Sequence, residues 1–284
     1  MSTPVVTHQF DATEVRLSVH EWGGDGPPVL LAHATGFHGM VWGPLAARLV
    51  AAGRRVFSFD FRGHGDSDAP DSDYSWHGFA DDVLAVADHL GVARDPALVA
   101  CGHSKGGAAL LLAEQKLPGT FRRIWAYEPI LFASEETLPP KDDFFLARAA
   151  RKRRNEWTST EEAIAAYSAK APLDVMTPDS MRAYVEYGLR DRGDGVLVLK
   201  CRPEVEAQVF SMAPNNGAYA HLGEVDAEVL IVCGEISTSV DPALGARIAD
   251  ALPHGRLEVL AGLGHFGPQQ DPDACAASIV AFTG

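Results

Sequence analysis

The stretch Gly102-His103-Ser104-Lys105-Gly106-Gly107 constrains this chain more than any other. It comes after an apolar run, Ala97 to Cys101, and precedes a helical one, Ala108 to Lys116. Glycines two residues either side of a serine, on a strand-to-helix turn, let that serine take a strained backbone conformation with its hydroxyl clear of the main chain. That is where a nucleophile belongs. The five-residue pattern alone also fits a plain glycine-rich turn with a solvated serine, so the flanking strand and helix carry the reading.

The rest of the chain alternates in the same way. Strands are expected at Glu14–Trp22, Val29–Ala34, Val56–Phe61, Ala97–Gly102, Ile124–Tyr127, Val229–Cys233 and Leu257–Leu260. Helical spacing occupies Val41–Ala52, Trp76–Leu90, Pro242–Ala251 and Pro268–Phe282. Short apolar strands separated by helices imply an α/β fold, a mainly parallel sheet covered on both faces. From about Phe132 to Leu222 the pattern gives way to charged helical stretches, with a single short strand candidate at Val196–Leu199. The expected organisation is a core over 1–131, an inserted helical cap over 132–222 and a second part of the core over 223–284. Pro139-Pro140-Lys141-Asp142-Asp143 is the candidate hinge into the cap.

Composition limits the partners. A formal charge of -14 repels nucleic acid and anionic membranes. No run approaches the roughly 18 apolar residues that span a bilayer, and Met1–Phe10 lacks the basic and apolar regions of a secretory signal. A cytoplasmic protein acting on a small molecule is expected. Cys101, Cys201, Cys233 and Cys275 lack metal-ligand spacing and read as small buried hydrophobes. No metal or other cofactor is expected.

Three motifs in order, His33-Ala34-Thr35-Gly36, Asp60-Phe61-Arg62-Gly63-His64-Gly65-Asp66-Ser67 and the Ser104 turn, are joined by Gly262-Leu263-Gly264-His265-Phe266 after the last strand. With them the chain resembles the α/β-hydrolase superfamily over nearly its whole length. A serine needs a base, and a base needs an orienting carboxylate. The resemblance makes His265 the base, while His103 and His33 are expected to brace backbone. Its usual acid position falls in Gly234-Glu235-Ile236-Ser237 and holds a serine. The alternative position, after the strand that comes next beyond the nucleophile helix, holds Glu128, similar to haloalkane dehalogenases and zearalenone-type lactonases; Asp241 and Glu235 remain alternatives. Pro129 is expected to hold Glu128 extended.

The resemblance also implies an oxyanion hole from the backbone N–H groups of Thr35 and Lys105, with Ala34 and Gly36 next in line. The Lys105 side chain, a cation in the first turn of a helix, has two readings: paired to a carboxylate, or facing the pocket beside Phe37 and Phe266. The cap's aromatic and Met side chains favour a largely apolar pocket, and its run Arg148, Arg151, Lys152, Arg153, Arg154 reads as a solvated face. The expected activity is that of a serine hydrolase for a medium-sized apolar ester or lactone. Carbon–carbon bond hydrolysis on the same triad and a silent ligand-binding protein are the alternatives. Dehalogenase and epoxide-hydrolase chemistry is disfavoured, because those relatives carry an aspartate where Ser104 stands.

Overall fold

The computed structural model describes residues 4–71, 74–132, 144–213 and 216–283. Its first part runs β1 (Val6–Asp11), β2 (Arg16–Gly23), β3 (Pro28–Ala32), α1 (Gly43–Ala51), β4 (Arg55–Asp60), α2 (Trp76–His89), β5 (Val99–His103), α3 (Lys105–Lys116) and β6 (Arg123–Tyr127). An inserted stretch supplies α4 (Phe145–Arg151), β7 (Glu156–Trp157), α5 (Thr160–Ser168), α6 (Pro178–Gly188), β8 (Leu189–Asp191), β9 (Leu197–Leu199) and α7 (Pro203–Met212). The chain then returns to the main sheet through β10 (Glu228–Gly234), α8 (Pro242–Asp250), β11 (Gly255–Leu260), α9 (Gly267–Gln270) and α10 (Pro272–Phe282).

Eight strands form one sheet in the order β1-β2-β4-β3-β5-β6-β10-β11. Within it only the β1–β2 and β2–β4 pairs are antiparallel; from β4 to β11 the sheet is parallel. Burial explains the apolar runs. Along β10, Val229, Ile231 and Cys233 enter the core on the side of α2, α3 and α8, whereas Leu230 and Val232 enter the core on the side of α1 and α10. Each such side chain contributes about 1.5–3 kcal/mol by leaving water, so a strand covered on both faces must be apolar throughout. The α/β expectation stands.

Three local expectations change. The edge strand β1 has four of its six residues exposed and the other two half-buried, too polar to register as a buried strand. The inserted stretch is not purely helical, since β7, β9 and β8 make a small antiparallel sheet around the one strand expected there. The last helix is broken: Asp271 accepts from the Ala274 N–H and Pro272 opens α10, so α9 and α10 are separate. The candidate hinge 139–143 lies outside the described residues. All four cysteines are free and buried. Among the described residues no helix is long and apolar enough to cross a membrane, and no His, Cys, Asp and Glu cluster could hold a metal ion.

Candidate active site

Parallel strands put their carboxyl ends on one edge of a sheet, and ligands of open α/β sheets bind there. Ser104 stands just past β5, Glu128 just past β6 and His265 in the loop after β11. Ser104 has φ 55° and ψ -114°, a region L-residues rarely occupy. The turn is possible because both flanking positions lack side chains: a Cβ on Gly106 would run into the Ala32 carbonyl, and one on Gly102 into the Gly107 backbone. The Ser104 N–H donates to the Tyr127 carbonyl at 2.9 Å, and the Ile130 N–H donates to the Ser104 carbonyl at 3.3 Å. The strain is thus held by β6 and the residues after it.

Glu128 is fully buried and accepts three hydrogen bonds. The Gly234 N–H reaches Oε1 at 3.0 Å, while the Ser237 hydroxyl and the His265 Nδ1–H reach Oε2 at 2.7 and 2.6 Å. In the tautomer that donates from Nδ1, Nε2 is the nitrogen left to accept a proton. The alternative acids are occupied elsewhere. Asp241 caps α8 by accepting from the Leu244 N–H, and Glu235 accepts from the Gly262 N–H.

Glu128 is not extended, contrary to the expectation from Pro129. Its φ is 44°, although its N–H still donates to the Val232 carbonyl of the neighbouring strand at 2.8 Å. The proline disfavours the right-handed helical region and leaves this left-handed turn open.

The loop bearing His265 is fixed from below. Tyr127 donates its hydroxyl to the Gly264 carbonyl at 2.7 Å, and His103 donates from Nε2 to the His265 carbonyl at 2.8 Å. Burial pushes the His103 imidazole well below its usual range, so the ring stays neutral. His33 likewise braces backbone, donating from Nδ1 to the Ala34 carbonyl and accepting at Nε2 from the Phe61 N–H. Among the described residues the Thr35 and Lys105 N–H groups have no acceptor, as oxyanion donors require.

The Lys105 side chain takes neither expected course. It is buried, with Nζ 4.0 Å from the centroid of Phe61 and 4.6 Å from that of Phe79, and it makes no hydrogen bond. The amine therefore lies in the core beneath the turn, where burial lowers it to about 7. Phe37 and Phe266 stack at 5.7 Å beside His265, and Phe37 meets Tyr184 of α6 at 5.0 Å. A small cavity lies against Gly36, Phe37, His38, Tyr184, Lys200 and Cys201.

Two further groups stand where the sequence alone did not place them, Arg153 on the side of the inserted stretch and Ser237 at the strand edge. Arg153 lies beyond the end of α4 and is no solvated residue: its side chain is 16% exposed. Its Nη1 donates to both Glu206 oxygens at 2.9 and 3.0 Å, and Nη2 donates to the hydroxyls of Tyr167 and Tyr184. The Glu206 carboxylate abuts Gly36, where a Cβ would collide with it. Ser237, standing in the usual acid position, is a buried donor to Glu128.

Comparison with known proteins gives the family and the fold. Residues 29–278 match the alpha/beta hydrolase family. The chain is 26% identical over 281 residues to a 2-(acetamidomethylene)succinate hydrolase of Mesorhizobium japonicum, covering 98% of this chain and 95% of the relative. It is also 26% identical over 260 residues to a non-heme chloroperoxidase of Kitasatospora aureofaciens, covering 88% and 89%. The crystal structure of E-2-(acetamidomethylene)succinate hydrolase superposes with a TM-score of 0.82 at 24% identity, covering 98% of each chain. The enol-lactonase of Burkholderia xenovorans superposes with 0.72 at 22% identity, covering 97% and 99%. By sequence and by fold, this chain belongs to the alpha/beta hydrolase family.

Proposed function

We propose that the chain is a cofactor-free serine hydrolase that cleaves a carboxylic ester or lactone of a medium-sized, largely apolar small molecule. The observation that carries this reading is the 2.6 Å bond from His265 Nδ1 to the buried Glu128 carboxylate, with Ser104 in a strained turn at the end of the adjacent strand β5. Ser104 Oγ attacks the substrate carbonyl as His265 Nε2 takes its proton. The oxyanion is received by the N–H groups of Thr35 and Lys105. The proton returns to the leaving oxygen, and water then releases the acid from the acyl-enzyme by the same groups. Glu128 holds the imidazole in the required tautomer and stabilises its charged form. Residues 132–222 act as the cap over this site, with Phe37 and Phe266 at its wall and the whole working in the cytoplasm.

A second reading comes from the relatives: similarity over nearly the full length to a 2-(acetamidomethylene)succinate hydrolase makes a succinate derivative the rival substrate. Carbon–carbon bond hydrolysis would use the same triad. A panel of short-chain esters, lactones, succinate derivatives and vinylogous diketones assayed against the Ser104→Ala variant tests the proposal. Esters or lactones should be turned over by the wild type, with kcat falling on the order of 10⁶-fold in the variant. Turnover of succinate derivatives or diketones alone would overturn the bond assignment.

A further inference from the structure

The site wall formed by the inserted stretch brings cations and carboxylates together in closed pairs. Arg153 has both terminal nitrogens engaged, one by Glu206 and one by two tyrosine hydroxyls. Lys200, on the cavity itself, is paired with Asp66 at 2.7 Å. His38, also on the cavity, is held neutral, since burial lowers it to about 4. The buried Lys105 amine lies against the faces of Phe61 and Phe79 and makes no hydrogen bond. So, among the described residues of this wall, both cations, Arg153 and Lys200, are already answered by a carboxylate, and Glu206 occupies the space against Gly36 in the oxyanion loop.

A carboxylate on the acyl group of a substrate would have to displace Glu206 from a guanidinium that it already engages through both oxygens. Failing that, it would lie beside Glu206 in a poorly hydrated place, where like charges repel strongly. We infer that the enzyme acts on uncharged acyl groups, and that Glu206, by occupying Arg153, is the residue that excludes anionic ones. This inference rests on the serine-hydrolase reading and adds the charge class of its substrate. It also places Glu206 as a specificity determinant through a built-in repulsive element.

Ethyl butyrate and monoethyl succinate have acyl chains of equal length and differ by one terminal carboxylate, and a pH-stat monitors both. The wild type should favour the butyrate in kcat/KM by on the order of 100-fold, the discrimination expected from like charges at a desolvated site. Glu206→Gln frees the Arg153 guanidinium, and the ratio should fall by about tenfold or more. Adding Arg153→Met to Glu206→Gln should abolish that gain, which a general loosening of the wall would not do. Equal or better use of the succinate by wild type overturns the inference, and needs no variant to fold. An unchanged ratio in a folded Glu206→Gln protein overturns the role of Glu206. Hydrolysis of neither ester, with Ser104 inert to active-serine probes, would instead remove the underlying hydrolase reading and this inference with it.

Discussion

At the strand edges, Glu128 is held by a backbone N–H of β10, by Ser237 and by His265, while Ser104 is tied by main-chain bonds to Tyr127 and Ile130. In the inserted stretch, the Arg153 guanidinium is held, among the described residues, by side chains alone, those of Glu206, Tyr167 and Tyr184. The first arrangement is a product of the sheet, because strand ends and the turns after them fix where each group points. The second depends on which side chains the inserted stretch presents. On the reading proposed above, chemistry that must be exact in geometry would sit on the sheet, and selection among substrates would be left to the side chains of the insertion.

If that division holds, changes at the strand edge should act on turnover and changes opposite on substrate choice. Glu128→Gln should show the largest effect. It keeps the shape of the side chain but lets the wrong imidazole tautomer form, and kcat should fall by on the order of 10⁴-fold, as in other triads. Steady-state kinetics on a neutral ester reads this directly. A loss under about tenfold would shift the acid's role to another carboxylate.

Ser237→Ala should act in the same direction and more weakly. It removes a hydroxyl donor from a fully buried carboxylate, and a hydrogen bond to a charged group contributes about 1.5–3 kcal/mol. The expected result is a kcat reduced by roughly tenfold with KM little changed, since the loss falls on the charged imidazole of the transition state. A rise in KM alone would move Ser237 to the substrate side of the comparison.

Lys105→Met tests the packing beneath both halves, through stability. The amine is lowered to about 7 in the folded protein and has its ordinary value, 10.5, when the chain unfolds. Between those values the unfolded chain binds more protons, so the folded state gains stability as pH rises from about 7 towards 10. Below pH 7 the burial cost of the ammonium is carried in full, offset in part by the two aromatic faces. The unfolding free energy of wild type relative to the variant should therefore increase across that window, by at most about 1.4 kcal/mol per pH unit. Paired denaturant melts at pH 7 and 9.5 would show it; a flat difference would mean that the amine is not buried as described.

Much of the strand-edge half is legible in the sequence because its signals are local. The Ser104 turn carries its own strand, glycines and helix, and His265 and Glu128 each stand after a recognisable strand. What holds them is not local. Ser237 meets Glu128 across 109 residues, and Tyr127 meets Gly264 across 137. A serine in place of an acid carries no mark that it will donate to the acid's replacement. The insertion hides more. Arg153 sits in a run of basic residues that looks solvated, and only its position beyond α4, with Glu206 53 residues away, turns it inward. The positive φ at Glu128 is likewise a feature that the Glu-Pro pair does not report.

The activation of Ser104 as a nucleophile, on which the whole mechanism depends, is tested most directly by intact-protein mass spectrometry after treatment with a fluorophosphonate probe. One adduct per chain is expected, mapped to Ser104, absent from Ser104→Ala and formed much more slowly in Glu128→Gln. An adduct on another residue, or equal labelling of the Ser104→Ala protein, would contradict that role.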